Sequence, residues 1–195
     1  MDLADRRDLE RDVYQPAEDS ALLAEVATSV VGADDLVLDV GTGSGFVAER
    51  IADETGAAVV GSDLNPHACR RAYERDVPVV RGDLTEPFAA GAFDVVTFNP
   101  PYLPTDAETE WDDWMEVALS GGETGRAVVD PFLRSVRRVL APDGVVLLLV
   151  SSLSGVDEVV ELAGEEGFGA VALRDESFPF ETLTVLKLIP PQESP

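Results

Sequence analysis

Four short apolar runs in the first half of the chain alternate with helical patterns, and this alternation restricts the fold more than any other feature. The runs predict β-strands at residues 36–40, 58–62, 77–81 and 93–98. Strands that alternate with helices usually form a parallel sheet that is covered by helices on both faces. We therefore predict an α/β fold built on a mostly parallel sheet.

The second half of the chain predicts three further strands. A continuous apolar run at residues 145–150 is typical of a central strand, and two later runs, at 169–174 and 182–189, predict an antiparallel hairpin. Pro131 is expected to kink or restart the helix that contains it, with Asp130 as the cap. Helices are predicted at residues 16–31, from the first glycine loop to about 54, from Pro66 onward, at 124–140 and at 156–166.

Length and composition fit one globular domain. The chain has 195 residues and a hydrophobic content of 45%, so we expect a single domain over residues 1–195 with an irregular, charged N-terminal arm at 1–15. No apolar run has the length of a membrane span, and the N-terminus lacks the apolar core of a signal peptide, which predicts a cytoplasmic protein. Cys69 and His67 are the only residues of their types, so we predict no metal site and a structural role for both.

The formal net charge of −24 bears on both partners and habitat. Nucleic-acid binding needs clustered Lys and Arg, which this chain lacks. Lys187 is the only lysine, whereas Asp and Glu together number 38. An acidic, lysine-poor composition is typical of a protein from a high-salt cytoplasm, so we predict a halophilic source. The charge then says more about habitat than about partners.

A glycine-rich loop at residues 41–45 joins the first predicted strand to the following helix. Glycines let a backbone approach a ligand closely, and the helix N-terminus offers free N–H groups. A dinucleotide-binding loop would carry its third glycine at position 46, but that residue is Phe46. Asp39 precedes the loop, where it could contact the α-amino group of an amino-acid-like ligand. The pattern favours S-adenosylmethionine over NAD, held by Asp39, Gly41, Thr42 and Gly43.

Polar residues also end the next three strands. Asp63 is placed to bind ribose hydroxyls, and Asp83, followed by Leu84, is placed to accept from an adenine amine. Asn99 ends the fourth strand. A single aspartate at such a position is more often a helix cap or a turn residue. Polar residues at four successive strand ends favour a binding site, because open α/β sheets bind ligands there.

The segment Asn99-Pro100-Pro101-Tyr102 follows the fourth strand directly. Two prolines cannot continue a ladder, so the strand stops in a rigid turn. The Asn99 side-chain oxygen and the Pro100 carbonyl can both accept hydrogen bonds from the NH2 group of a planar amide or amine. Tyr102 can pack on the flat face of that planar group. A simple proline-rich turn is the alternative interpretation of these four residues alone.

The chain as a whole resembles class I S-adenosylmethionine-dependent methyltransferases, and within them the HemK/PrmC-type glutamine methyltransferases in their short archaeal and eukaryotic form. The resemblance covers nearly the whole chain. The first and last of the matching segments are the more specific ones. The segments are residues 13–20, 39–45, 63–66, 82–84, 99–102, 121–122 with 125–126, and 181–187.

This resemblance implies a Rossmann-like sheet of seven strands and a defined reaction. Family members methylate the side-chain nitrogen of the glutamine in the Gly-Gly-Gln loop of class I translation release factors, and this form works with a small zinc-binding activator subunit as a heterodimer. The resemblance also implies that Ser20 contacts the cofactor. The predicted cofactor-binding residues are thus Ser20, Asp39, Gly41, Thr42, Gly43, Asp63, Asp83, Leu84 and Asn99.

For the acceptor, we predict catalytic roles for Asn99, Pro100 and Tyr102, and substrate binding by these three residues together with Pro101. An amide nitrogen is a poor nucleophile, and hydrogen bonds from its N–H groups to Asn99 and Pro100 would orient and polarise it. Trp111 and Trp114 either line a groove for the substrate loop or pack in the core or as a lid. The strand at 77–81 is expected at the sheet edge, where the activator subunit could add a strand.

Two other functions remain open at this point. Adenine-N6 methylation of DNA or RNA uses the same Asn-Pro-Pro-Tyr segment, but the arginine pairs at 6–7, 70–71 and 137–138 are scattered rather than clustered. A catalytically inactive cofactor-binding module or scaffold is the third possibility. The presence of both Asn99 and Tyr102 argues against it.

Overall fold

Within residues 17–105 and 114–191, which the computed structural model describes, seven strands form one sheet. The strands are β1 (Leu36–Val40), β2 (Ala58–Asp63), β3 (Val79–Arg81), β4 (Phe93–Phe98), β5 (Leu140–Ser151), β6 (Gly169–Ser177) and β7 (Thr182–Ile189). The helices are α1 (Glu18–Val30), α2 (Phe46–Thr55), α3 (Pro66–Glu74), α4 (Trp114–Val117), α5 (Val129–Val136) and α6 (Val156–Glu165), with a 3-10 turn at Arg137–Val139. The predicted arm at 1–15 lies outside the described residues.

The strand order is β3-β2-β1-β4-β5-β7-β6. The first five strands of this order run parallel to their neighbours, whereas β7 is antiparallel to both β5 and β6. This confirms the predicted seven-stranded, mostly parallel sheet with an antiparallel C-terminal hairpin. From β1 the chain builds outward to β3 on one side and then returns to β4 on the other side. The carboxyl ends of β1 and β4 therefore flank the point where α/β sheets of this kind bind ligands.

Two apolar clusters cover the two faces of the sheet, as predicted for helices on both sides. On one face, α1 and α2 bury Leu23 and Ile51 completely against β-strand residues. On the other face, α5 and α6 bury Phe132 and Val159. Phe98, at the end of β4, stacks on Phe132 with ring centroids 4.5 Å apart, so the strand that carries Asn99 is anchored in the core up to its last residue.

The prediction of a helix at 124–140 was wrong about where the helix starts and which residue caps it. Gly122 and Gly125 have positive φ angles of 69° and 72°, and residues 121–128 form turns instead of helix. Pro131 lies in the first turn of α5, where a missing N–H loses no intrahelical bond, so it causes no restart. Asp130 is not the cap, which is Val128; it lies in the first turn and pairs with Arg134 at 2.9 Å.

Smaller differences concern the ends of other elements. β3 begins at Val79 and not at Val77, whose N–H donates to the Ala72 carbonyl at the end of α3. β5 begins at Leu140 rather than 145, and its pairing with β4 shifts register between Phe93 and Val95. The short helix α4 was not predicted. No helix in the part of the chain described above is long and apolar enough to cross a membrane.

Candidate active site

One cavity of about 470 Å³ lies at the carboxyl ends of the parallel strands. Its wall contains the glycine loop, the residues that follow β2, β3 and β4, the first turn of α1 and part of α4. Every residue predicted for the site lines this cavity, although they come from segments spread over the first 102 positions. These residues are Ser20, Asp39, Gly41, Thr42, Gly43, Asp63, Asp83, Leu84, Asn99, Pro100, Pro101 and Tyr102.

The glycine loop is shaped by positive φ angles and by a close helix contact. Gly41, Gly43 and Gly45 have φ angles of 60°, 55° and 82°. A Cβ on Gly45 would lie 3.0 Å from the Cα of Ala72 in α3, so this glycine lets the loop pack against that helix. Gly45 is followed directly by Phe46, the first residue of α2, which explains why the third glycine comes one position earlier than in dinucleotide-binding loops.

Asp39 is a buried carboxylate at the base of this loop. It is only 3% exposed, and its two oxygens accept hydrogen bonds from the hydroxyls of Thr42 and Thr97, each at 2.7 Å. Burial raises the pKa of Asp39 to about 6, against the opposing effect of the two threonine hydroxyls and with a smaller contribution from the charge of Asp63. Both of these side-chain partners are neutral hydroxyls. A cationic ligand group at this carboxylate would therefore offset part of the cost of burying its charge.

Asp63, predicted to bind ribose hydroxyls, also holds the glycine loop in place. Its carboxylate accepts from the backbone N–H of Gly43 at 2.9 Å and from that of Asn65 at 2.8 Å. Burial raises its pKa, and these backbone hydrogen bonds oppose the shift. Asp63 thus ties the end of β2 to the glycine loop. A carboxylate has about four lone-pair sites, so these backbone hydrogen bonds are compatible with the predicted contact to ribose hydroxyls.

Asp83 and Leu84 form the neighbouring wall. Asp83 is exposed and Leu84 is partly buried, with an unusual positive φ of 43°. The Leu84 carbonyl accepts from the Ser62 hydroxyl at 3.1 Å, which fixes this segment to the end of β2. The two residues are therefore held at the same edge of the sheet as Asp63, as the sequence predicts.

Asn99 has an asymmetric environment. Its side-chain nitrogen donates to Asp19 Oδ2 at 3.1 Å and lies 3.4 Å from Ser20 Oγ. Its side-chain oxygen is buried and has no hydrogen-bond partner within the described residues. A buried acceptor without a partner costs free energy unless a ligand supplies a donor. The amide oxygen of Asn99 thus fits a bound group that donates an N–H.

Tyr102 lines the same cavity and is half-buried. Its pKa is raised, mainly by burial and then by the charges of Asp19, Glu181 and Glu18, so its phenol stays neutral through the working pH range. A Cβ on Gly125 would lie 2.6 Å from the Tyr102 carbonyl, so the glycines at 121–125 let this loop pack directly against the motif. Arg126, in the same loop, donates to the Ser154 carbonyl.

Asp19 and Glu181 were not predicted to line the cavity, and Trp114 was predicted there only as one of the alternatives. Asp19 and Glu181 line the wall, and Glu181 accepts from the Ser151 hydroxyl at 2.5 Å. Both belong to the segments that carry the family resemblance, but their position facing Asn99 and Tyr102 depends on the folded chain. Trp114 also lines the cavity. Trp111 lies outside the described residues.

Comparisons with known proteins agree with this geometry. Residues 37–122 match the family described as a methyltransferase domain. The chain is 36% identical over 184 residues to a Methanocaldococcus jannaschii protein whose name places it among the protein N5-glutamine methyltransferases, covering 91% of this chain and 92% of that protein. It is 31% identical over 192 residues to human methyltransferase HEMK2, covering 90% and 89%.

A solved structure shows the same arrangement in three dimensions. A chain of the E. cuniculi Mtq2-Trm112 complex, described as responsible for methylation of the eRF1 translation termination factor, superposes with a TM-score of 0.76. The sequence identity is 30%, and the match covers 92% of this chain and 99% of that chain.

Proposed function

This chain belongs to the HemK/PrmC-type protein N5-glutamine methyltransferases, which use S-adenosylmethionine, and we propose that it methylates the glutamine of the Gly-Gly-Gln motif in a translation release factor. The observation that carries the proposal is the buried Asn99 side-chain oxygen without a hydrogen-bond partner, in a residue that lines the cofactor cavity together with Pro100. A neutral acceptor of this kind suits an amide NH2 group. The eRF1 connection of the E. cuniculi relative supports a release factor as the substrate.

The residues at successive strand ends would each bind a different part of the cofactor. S-adenosylmethionine supplies a methyl group on a sulfonium, and its transfer to nitrogen releases a neutral thioether and one proton. Asp39 accepts from the cationic amino-acid end, while Gly41, Thr42 and Gly43 let the backbone come close to it. Asp63 accepts from the ribose hydroxyls. Asp83 and Leu84 hold the adenine, and Ser20 contacts the cofactor from α1.

The acceptor residues act by orientation rather than by proton abstraction. Asn99 Oδ1 and the Pro100 carbonyl accept the two N–H groups of the glutamine amide, which directs its nitrogen toward the cofactor. These contacts become stronger as positive charge develops on that nitrogen. Pro101 keeps the turn rigid, and Tyr102 packs on the flat face of the amide as a neutral phenol.

Adenine methylation, the alternative, is not favoured. The M. jannaschii relative is named for glutamine methylation, and the E. cuniculi complex is described by the methylation of a termination factor. Arg138, one of the scattered arginines, donates to the carbonyls of Thr85 and Phe88 at 2.7 Å each, so it serves the fold. The pair at 6–7 lies outside the described residues.

A direct assay separates these reactions. The chain is incubated with labelled S-adenosylmethionine and either an archaeal release factor or duplex DNA, and the methyl group is located by mass spectrometry. We expect label on the motif glutamine and none on a release factor with that glutamine changed to alanine. Asn99→Ala should lose methyl transfer while keeping cofactor binding. Label on adenine and none on glutamine would overturn the proposal.

For the partner, we propose that a small zinc-binding activator subunit adds a strand to β3. β3 is an edge strand of only three residues, and Val80 is 37% exposed beside Leu64 at 49%. An exposed apolar edge is a site for strand addition. The similar E. cuniculi chain was solved as a complex with Trm112, which supports a partner of this kind.

Matched substitutions on the two edges of the sheet test this interface. Val80→Asp on β3 should abolish co-purification with a co-expressed archaeal Trm112. Val171→Asp on the opposite edge strand, where the side chain is 50% exposed, should leave it intact. Equal retention of the activator by both variants would rule out β3 as its docking site.

A further inference from the structure

Asp19 lies in the first turn of α1 and touches the catalytic motif 80 positions later in the chain. It is only 4% exposed. One oxygen, Oδ2, accepts from Asn99 Nδ2 at 3.1 Å. The other, Oδ1, accepts from the backbone N–H of Ser20 at 2.6 Å and lies 3.3 Å from the Ser20 hydroxyl. The carboxylate is thus held in a fixed direction by its own helix and presented to Asn99.

The hydrogens of this cluster can be assigned in only one consistent way. A carboxylate only accepts, and an amide nitrogen only donates. Asn99 Nδ2 gives one hydrogen to Asp19 Oδ2, and its second points to Ser20 Oγ at 3.4 Å, whose own hydrogen is free to turn to Asp19 Oδ1. If the Asn99 amide were flipped, its oxygen would face Asp19 Oδ2, acceptor against acceptor. The charge on Asp19 therefore selects one of the two amide orientations.

We propose that Asp19 is the positioning residue of the transfer reaction: it fixes the Asn99 amide so that Oδ1, and not Nδ2, faces the acceptor group. The inference rests on the proposed function, since it explains how Asn99 accepts from a glutamine NH2. This orientation leaves Asn99 Oδ1 buried and without a hydrogen-bond partner. The negative charge at the NH2 end also polarises the Asn99 amide and makes its oxygen a stronger acceptor. The Ser20 hydroxyl supports the same orientation, because its oxygen can accept the second hydrogen of Asn99 Nδ2.

Asp19→Asn tests the idea with little change of shape. An asparagine at 19 can donate as well as accept, so both orientations of Asn99 become allowed and the wrong one presents an N–H to the acceptor. We expect kcat to fall on the order of tenfold to a hundredfold, because misplacing a reacting group by about 1 Å has effects of that size. Cofactor affinity should stay within a factor of about two, since Asp19 acts on the acceptor side. Asp19→Glu, which keeps the charge, should recover part of the loss.

Glu18→Gln is the matched control. Glu18 lies in the same helical turn as Asp19, and its replacement by glutamine removes the same charge, but the Glu18 side chain is exposed. Its kcat and melting temperature should match the wild-type values. A general loss of helix stability would instead lower the melting temperature of Asp19→Asn and leave kcat per folded molecule unchanged, and this result would overturn the proposal.

A double-mutant cycle shows whether Asp19 acts through Asn99. In the Asn99→Ala background, Asp19→Asn should cause no further loss of residual transfer, measured with labelled cofactor. Equal losses in both backgrounds would refute the inference.

A side-chain NMR measurement keeps the test independent of the substrate. The NH2 pair of Asn99, assigned by its absence in Asn99→Ala, should shift and lose exchange protection in Asp19→Asn but not in Glu18→Gln. An unchanged Asn99 signal would refute the positioning role even if the wild-type enzyme methylates glutamine. Failure of the wild-type enzyme to label glutamine, with the Asn99 signal responding as expected, would count against the proposed substrate alone.

Discussion

Replacing Asp39 by asparagine should stabilise the cofactor-free protein at neutral and alkaline pH while weakening cofactor binding. Asp39 is 3% exposed, and its pKa is raised to about 6 from an ordinary value of 3.8, mainly by burial. One pKa unit corresponds to about 1.4 kcal/mol, so the ionised carboxylate lowers stability by about 3 kcal/mol. Asparagine has a similar shape and carries no charge.

The sign of the pH effect follows from the direction of the shift. Because the folded-state pKa is above the unfolded one, the folded protein binds the Asp39 proton more tightly, and the stability due to that proton is fully present below about pH 3.8 and lost as the pH rises through about 6. The advantage of Asp39→Asn should therefore be near its full size at about pH 8 and about half of it at pH 5. Asparagine has an NH2 group in place of one acceptor oxygen, so one of the hydroxyls of Thr42 and Thr97 loses its acceptor, which subtracts about 1 kcal/mol at every pH. The expected net gain at about pH 8 is roughly 2 kcal/mol.

Urea unfolding of the cofactor-free chain at fixed salt measures this difference at the two pH values. Asp53→Asn is the matched control, because Asp53 lies exposed on α2 and its replacement removes the same charge from a chain of net charge −24. The pH dependence of Asp39→Asn is measured relative to this control. In parallel, calorimetry should show cofactor affinity reduced about tenfold to a hundredfold in Asp39→Asn, the usual loss for a hydrogen bond to a charged group. A stability difference that stays constant between pH 5 and pH 8 would refute the raised pKa.

Other predictions concern the loop, the aromatic residue and the surface. Gly45→Ala should cost about 1–3 kcal/mol in urea unfolding and more than Gly91→Ala, because both glycines have positive φ but only Gly45 would clash, with Ala72; equal losses would contradict the steric argument. Tyr102→Phe should keep the pH–rate profile of the wild-type enzyme, since the neutral phenol does not titrate in the working range, and a lost alkaline limb would contradict this. Raising KCl should raise the melting temperature, because salt shortens the Debye length to about 3 Å at 1 M and screens the repulsion of a −24 chain; a falling melting temperature would argue against a halophilic surface.

The sequence predicts the strands and the position of the site because both follow from local patterns. β1 and β4 have the bounds that their apolar runs indicate, and Asp39, Asp63, Asp83 and Asn99 all reach one cavity. Parallel strands place their carboxyl ends at one edge of the sheet, so a residue at a strand end is located by topology alone. No contact between side chains needs to be known for this step.

Contacts between distant segments were not predictable in the same way. The hydrogen bond from Asn99 to Asp19 joins residues 80 positions apart, and that from Gly43 to Asp63 joins residues 20 apart. No periodicity in the chain encodes either pair. The start of α5 was missed for a related reason: the residues at 124–128 have helical spacing, but Gly125 packs against the Tyr102 carbonyl and requires a turn there. Tertiary contact overrode the local pattern.

Asp39 and Asn99 show how the two ends of the cavity differ in what they bind. Asp39 keeps its charge on the cofactor side, held by two hydroxyls, where a cation offsets the cost of burial. On the acceptor side a second buried carboxylate, Asp19, lines the same cavity and accepts from the Asn99 amide nitrogen. Its other oxygen accepts from the backbone N–H of Ser20. The oxygen of the Asn99 amide is neutral and directed, which matches the uncharged NH2 of glutamine.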